Sequence, residues 1–490
     1  MFVKLANSSL VSQLRHNFRM KHTIYALSSG FGKCGVAVVR ISGPNAKLAL
    51  TRMCKRMPQP RFAELRKIMD PETREVLDHG LVLWFPGPSS FTGEDCCEFQ
   101  VHGGPAVLAS VFSALSKLSN FRPAEPGEFA RRAFYSGKID LTSAEGLADL
   151  INAETEYQRK QAVIQMEGAL CDVYTNWRTS LSKSLANIEA YIDFEEDQNI
   201  ESSILNVAKQ QIAELRAAIR QHLADGRKGE RLRSGVSMAI IGAPNVGKSS
   251  LLNYLSQKST AIVSDIAGTT RDVIRTDIDL CGFPVNVQDT AGLRAGTSDV
   301  IELEGMARAR AALKSADVAL IVVDATYLSD GNDAAGRLVD YVESLGLSWS
   351  EVSSDSESSS RRLVIVNKTD LVENPAQIQK LKEKYNNIVC PFSCKTEAGK
   401  EELMTCMASL LKDLCGDPSI ENPSFTQPRQ RFCLQETLNA LDRFSNFSES
   451  EIDIGAQEVR NALYSLGKIT GHVSTEDILD LIFRDFCIGK

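Results

Sequence analysis

Four short motifs, in fixed order and each at the end of a strand-like run, constrain this 490-residue chain most: Gly242-x4-Gly247-Lys248-Ser249, Asp289-Thr-Ala-Gly292, Asn367-Lys-Thr-Asp370 and Ser393-Cys-Lys395. The first sits between the apolar run 236–241 and Ser250-Leu251-Leu252, which predicts strand, tight loop and helix start. In that setting the backbone N–H groups around Asn245, Val246, Gly247 and Ser250 face a phosphate at a helix N-terminus, Lys248 reaches its oxygens, and the Ser249 hydroxyl can hold Mg²⁺. Asp289 ends a second apolar run, where a carboxylate can hold Mg²⁺ through water. Thr290 and Ala291 then lead to Gly292, whose N–H can approach a terminal phosphate.

The other two motifs choose the base. Asn367, Lys368 and Asp370 follow the run 363–366, and an Asp there accepts from both N1–H and N2–H₂ of guanine; adenine would leave that carboxylate unpaired. Ser393-Cys394-Lys395 follows another strand-like run, with Cys394 where Ala is usual, a small-for-small change that leaves the backbone contact to the base available. Singly the four-letter motifs are weak signals. Ordered and strand-terminal, they predict a GTP-binding α/β domain with a mixed, mostly parallel sheet.

Composition sets the rest of the frame. The chain is 43 % hydrophobic and 24 % charged, ordinary for a globular protein of two to four domains. No apolar stretch reaches membrane-spanning length; even 318–323 is bounded by Asp317 and Asp324. The twelve cysteines are scattered, without CxxC pairs or zinc spacing, and read as reduced thiols. The net charge of −7 argues against coating a polyanion, so a nucleic acid needs a local basic patch. Arg131, Arg132 and Lys138 are the candidate, with a solvated helix face as the plainer reading. The first acidic residue is Glu64, whereas Lys4, Arg15, Arg19 and Lys21 punctuate the start, so residues 1–21 read as a mitochondrial presequence or, more plainly, a basic strand-and-turn region.

Residues 22–137 alternate in the manner of strands with one helical run, an α+β domain. Helical periodicity holds over 138–232, opening with capping-box spacing at Thr142-Ser-Ala-Glu145, and resumes over 416–490. These two blocks bracket the nucleotide domain, 233–415, and the economical reading is one all-α domain with the α/β domain inserted. The serine-rich run 354–360 reads as a disordered surface loop.

Three stretches have no reason in generic nucleotide-binding physics: Phe91-Thr-Gly-Glu-Asp-Cys-Cys-Glu98 with His102-Gly-Gly104; Pro126-Gly-Glu-Phe-Ala-Arg-Arg-Ala-Phe134 with Lys138-Ile-Asp-Leu141; and the terminal Phe486-Cys-Ile-Gly-Lys490. Together they resemble the MnmE/TrmE family of tRNA-modification GTPases from about residue 23 to the end, and most of all its mitochondrial members. The resemblance implies a tetrahydrofolate-binding, dimerising N-terminal domain, a discontinuous helical domain and an inserted GTPase. It also implies an FAD-dependent, MnmG-like partner, with which aminomethyl- or taurinomethyl-type groups are placed on C5 of wobble uridine in tRNA. By the same resemblance, 5-formyl- or 5,10-methylene-tetrahydrofolate contacts fall on Arg40, Glu98, Lys138 and Lys490. A pterin edge and a glutamate tail suit a carboxylate and cations.

Leu293 stands where many small GTPases carry a water-orienting Gln. The resemblance implies K⁺ in place of an arginine finger, held by Asn245, Ser264, Ile266 and Thr269 within the loop Ser264-Asp265-Ile266-Ala267-Gly268-Thr269-Thr270, with Thr270 joining Ser249 on Mg²⁺. It places the water-positioning carboxylate on Glu302, with Glu304 as the alternative. Cys487 is open to two readings. It can be a thiolate nucleophile toward uridine C6, or a packing residue in a tail that delivers Lys490 to the folate site. The competing functional class is an Era-like ribosome-assembly or signalling switch without modifying chemistry, although no KH-type GXXG clamp follows Gly416.

Overall fold

The computed structural model describes residues 22–194, 203–258, 275–289, 316–329, 333–353, 361–373, 375–385, 388–421, 423–473, 476–484 and 486–489. The chain forms two compact units, one of 1–148, 165–215 and 436–490, the other of 149–164 and 216–435.

The first unit is built on a six-stranded sheet: β1 (Thr23–Leu27), β2 (Cys34–Ser42), β3 (Glu64–Met69), β4 (Val76–Phe85), β5 (Cys96–Gly103) and β6 (Phe121–Pro123), in the order β3-β4-β5-β2-β1-β6. Alternation decides its two faces. Val39, Ile68, Val82 and Phe99 point inward and meet Leu50 and Met53 of helix Ala46–Met53 and Val111 and Leu115 of helix Pro105–Ser116. The opposite face carries Leu65, Leu81, Gln100 and Val38 in one cross-strand row, with Leu65 71 % exposed. Over β1 that face is covered instead, where Phe129 of helix Glu128–Tyr135 packs on Ile24 and Ala26.

Long helices complete this unit. Helix Ala169–Phe194 packs along helix Ile452–Thr470, segments more than 250 residues apart in sequence, and Arg460 pairs with Glu189 at 2.8 Å. Helix Leu141–Ile151 is capped two residues earlier than its sequence suggests. Asp140 Oδ1 accepts from the N–H groups of Thr142 and Ser143, at 2.7 and 3.2 Å, so the Thr142-to-Glu145 capping box is not the cap used. A carboxylate accepts more N–H bonds than a hydroxyl, and Asp140 is already at the N-terminal end of the turn.

The second unit holds the other sheet: β7 (Val236–Ile241), β8 (Arg275–Leu280), β9 (Phe283–Asp289), β10 (Val318–Asp324), β11 (Arg361–Asn367) and β12 (Val389–Pro391), ordered β12-β11-β10-β7-β9-β8. All neighbours are parallel except the β8–β9 hairpin. Its central strands are apolar on both faces, as burial under helices requires: Val318 to Val323 is continuous core. Helix Lys228–Ser234 leads into β7, tied by Arg231 to Asp317 at 2.7 Å, and Asp317 Oδ2 accepts from the Ser237 N–H at 3.1 Å.

Candidate nucleotide and folate sites

Parallel strands deliver the motifs to one sheet end. The phosphate loop follows β7, Asn367 closes β11, and Ser393 follows β12. Gly247, Ser250, Asn367, Lys368, Asp370, Cys394 and Lys395 line a single cavity of about 310 Å³. The loop's glycines are dictated by space. Gly242 and Gly247 have φ of +152° and +100°, and a Cβ would stand 2.4 Å from the Val322 carbonyl or 2.2 Å from Asn367 Nδ2. Asn245 is left-handed too, φ +61°. Lys248 Nζ donates to the loop carbonyls of Gly242 and Ala243 at 2.8 and 2.7 Å.

Asn367 is the buried hub, 2 % exposed. Its Nδ2 donates to the Val246 carbonyl at 2.9 Å, and its Oδ1 accepts the Cys394 N–H at 3.2 Å, joining the phosphate loop to the base-side loop. Asp370 is exposed, with Oδ1 accepting from Ser393 Oγ at 2.6 Å. Ser393 thereby orients the carboxylate while also accepting the Thr396 N–H at 3.2 Å. Burial pushes the Cys394 thiol up to about 11, so it is a neutral packing group.

Two braces were not read from sequence. Asp324, at the end of β10, accepts from Lys368 Nζ at 2.8 Å and from Thr326 Oγ1 at 2.8 Å. Burial acts to raise its pKa, but the hydrogen bonds from Lys368 and Thr326 and the lysine charge outweigh it, so the carboxylate stays ionised. Tyr341, on helix Ala334–Ser344, accepts the Ala243 N–H at 2.8 Å and donates to the Val322 carbonyl at 2.7 Å. A tyrosine 98 residues from the loop it holds leaves no local sequence signal.

In the first unit, Arg40 and Glu98 are cross-strand neighbours of β2 and β5 and form an ion pair at 3.0 Å on the partly open face. The Arg40 guanidinium lies over the rings of Phe91 and Phe129, at 5.4 and 5.9 Å. Lys138 is exposed beside the same 91–94 loop; a Cβ on Gly93 would stand 3.6 Å from its Cε. The tail reaches this neighbourhood. The Gly489 carbonyl accepts from Ser28 Oγ at 2.8 Å, and a Cβ on Gly489 would lie 2.0 Å from the Leu27 carbonyl, so the residue before the last needs to be glycine. Ala26, adjacent to Leu27, is the cross-strand partner of Arg40. Phe486 is buried against Phe483 at 5.8 Å, and Cys487 is exposed.

The basic patch is a correction. Arg132 is 3 % exposed and lies between Glu94 and Glu128, each at 2.9 Å, with a further bond to the His22 carbonyl at 3.0 Å. Arg131 pairs with Asp480 at 2.6 Å and covers the Phe483 ring at 5.5 Å. These guanidiniums are spent inside the fold, because helix Glu128–Tyr135 is covered on both faces, and only Lys138 of the three is free to meet a polyanion. Ser264, Asp265, Ile266, Ala267, Gly268, Thr269, Thr270, Thr290, Ala291, Gly292, Glu302, Glu304 and Lys490, like the stretches 1–21 and 354–360, lie outside the described residues, as does the side chain of Asp289.

Comparison with known families covers most of the chain. Residues 23–138 match the model of the GTP-binding protein TrmE N-terminus, and residues 141–487 match the MnmE helical domain. A 5-taurinomethyluridine-tRNA synthase subunit GTPB3, mitochondrial, of Danio rerio is 50 % identical over 477 residues, 96 % of this chain and 93 % of that protein; its Homo sapiens counterpart is 47 % identical over 472, with the same coverage. The tRNA modification GTPase MnmE of Rhodospirillum rubrum is 43 % identical over 481 residues, 96 % of this chain and 99 % of that protein. A P-loop domain set within a chain of this length, with both flanking regions matched, decides against the Era-like alternative: the chain belongs to the MnmE/TrmE family of tRNA-modification GTPases.

Proposed function

We propose that this protein is a mitochondrial, K⁺-dependent GTP hydrolase. With an FAD-dependent partner subunit it modifies C5 of the wobble uridine of mitochondrial tRNAs, drawing the one-carbon unit from tetrahydrofolate. The observation that carries the reading is the docked tail. Gly489 is fixed at the C-terminal end of β1, next to the strand pair that holds Arg40 and Glu98, while Cys487 stays exposed two residues before it. A nucleotide domain alone has no use for that arrangement.

The residues present fit the groups this activity requires. Arg40 and Glu98 offer donors and acceptors between two aromatic rings, a setting for a planar pterin edge, and Lys138 suits the anionic tail. The glycine-walled loop with Lys248 suits phosphates, and Asp370, oriented by Ser393, suits guanine. Mg²⁺ is assigned to Ser249 and Thr270, and K⁺ to Asn245, Ser264, Ile266 and Thr269; when bound, the K⁺ supplies positive charge where the β/γ bridging oxygen gains negative charge. Glu302 is assigned to orient the attacking water. The domain limits proposed are 22–137, 138–232 with 416–490, and 233–415.

A homodimer would form through the N-terminal sheet, on whose open face Leu65 and Leu81 are exposed. Mass spectrometry of wobble uridines from cells lacking this chain tests the reading. The modified base disappears and returns with the wild-type gene; an unchanged uridine profile would reject the proposal.

A further inference from the structure

Behind the loop that meets the base, two cysteines distant in sequence come together. Cys390 lies on β12, in register with Ile365 of β11, and is fully buried. Cys406 lies on helix Lys400–Cys415 and is half-buried against the same apolar cluster. Their side chains are hydrogen-bonded to each other, with the Cys390 S–H donating to the Cys406 sulfur. Lys382, on helix Ala376–Lys384, faces both sulfurs and is held at 2.7 Å by Glu402, one helical turn before Cys406.

Packing fixes this approach. The Phe392 N–H donates to the Val366 carbonyl at 2.8 Å, which holds the end of β12 on β11. The helix begins directly after Gly399, where a Cβ would stand 2.2 Å from the Pro391 carbonyl. Between strand and helix, residues 392–399 carry Ser393, Cys394 and Lys395, so the cysteines sit on the two elements that flank the base-side loop. The thiols are also unequal. The hydrogen bond from Cys390 and the Lys382 charge favour the Cys406 thiolate over the opposing effects of burial and Glu402, whereas the same bond and burial keep Cys390 protonated. A thiolate within reach of solvent and beside a second thiol has an attacking and a resolving sulfur in place.

We propose that Cys390 and Cys406 are a site of reversible oxidation, at which hydrogen peroxide forms a disulfide that ties helix Lys400–Cys415 to β12 and slows the release of guanine nucleotide. The Cys406 thiolate attacks one peroxide oxygen; an S–O bond forms, the O–O bond breaks, and the departing hydroxide takes up the proton that Cys406 had lost. The Cys390 sulfur then attacks the sulfur of the sulfenic acid; the S–S bond forms, the S–O bond breaks, and the hydroxyl leaves as water with the Cys390 proton. Two thiols lose two electrons, and one peroxide becomes two waters. The new bond closes a ring around the base-side loop, which removes open loop conformations through which a nucleotide leaves. The inference is independent of the folate and K⁺ assignments made above.

The full chain, freed of reductant and loaded with a fluorescent GDP, is treated with hydrogen peroxide; remaining thiols are then blocked, linked peptides are mapped by mass spectrometry, and nucleotide release is timed. The expected result is a linkage between the Cys390 and Cys406 peptides that dithiothreitol reverses, with GDP release slowed by at least about threefold while it is present. Cys406→Ser should give no linkage and a release rate that peroxide does not change. Cys390→Ala should stop at the Cys406 sulfenic acid, captured by dimedone. Cys406 is half-buried, so its variant keeps the test valid should the change at buried Cys390 fail to fold. The absence of a linkage overturns the inference, as does a linkage that joins other cysteines or a linked protein that releases GDP at the untreated rate.

Discussion

Removing one oxygen tests whether the phosphate loop is held from behind. Tyr341→Phe keeps the ring, which packs 5.9 Å from that of Tyr327, and deletes the hydroxyl that accepts from Ala243 N–H and donates to the Val322 carbonyl. Burial raises the Tyr341 pKa, so the phenol remains a donor at neutral pH. The side chain is 8 % exposed, so water cannot readily replace it. Two hydrogen bonds at about 1 kcal/mol each, plus part of the cost of an unsatisfied buried N–H, come to about 3 kcal/mol. For a unit of this size that lowers Tm by roughly 6–12 °C, taking about 2–4 °C per kcal/mol. Because the loop also carries left-handed backbone at Asn245 and Gly247, loosening its root should weaken GDP as well, by about tenfold. Calorimetric melting with and without saturating GDP reads both effects. A drop of under about 2 °C with unchanged GDP affinity would refute the argument, since the hydroxyl would then be replaceable by water.

Asp370→Asn should cost GTP roughly 2–4 kcal/mol and shift preference toward xanthosine triphosphate; nucleotide titration checks it, and unchanged GTP affinity would remove guanine recognition from Asp370. Replacing K⁺ by Na⁺ at equal ionic strength, or Asn245→Ala, should lower kcat with little change in nucleotide affinity, because the ion acts on the transition state; steady-state hydrolysis in the two salts decides. Arg132→Met removes the buried guanidinium between Glu94 and Glu128, leaving Glu94 on Ser42 and Glu128 on Arg122, and should destabilise the N-terminal unit by about 3 kcal/mol in denaturant unfolding. Glu128 gives that unit a pH dependence. Burial acts to raise its pKa, but the Arg122 hydrogen bond, the Glu125 N–H and the charges of Arg132 and Arg122 depress it overall. A depressed folded pKa means stability present above the unfolded carboxylate value of about 4.3 and lost as pH falls through the folded one; acid melting curves of wild type and Glu128→Gln should converge at low pH.

What sequence could and could not disclose follows the range of the interactions. The phosphate loop, the apolar strands 236–241 and 363–366 and the motif at each strand end are local patterns, and the sheet places them together because parallel strands bring their C-terminal ends to one edge. The helix cap was misplaced by two residues, since Asp140 and Thr142 are both capping types and only geometry decides which hydroxyl or carboxylate meets the free N–H groups. Arg132 was misread for a stronger reason. Its partners are Glu128, one helical turn away, and Glu94, 38 residues away on a loop whose path no periodicity reveals; a basic residue on a short helix looks solvated until that loop closes over it. Tyr341 belongs to the same class. It acts on a backbone group 98 residues distant and is an ordinary residue of an amphipathic helix when read alone. Side chains that serve chemistry directly are typed by that chemistry, whereas those that hold the chemistry in place can be of almost any polar type, so the motifs surface first and their supports only in three dimensions.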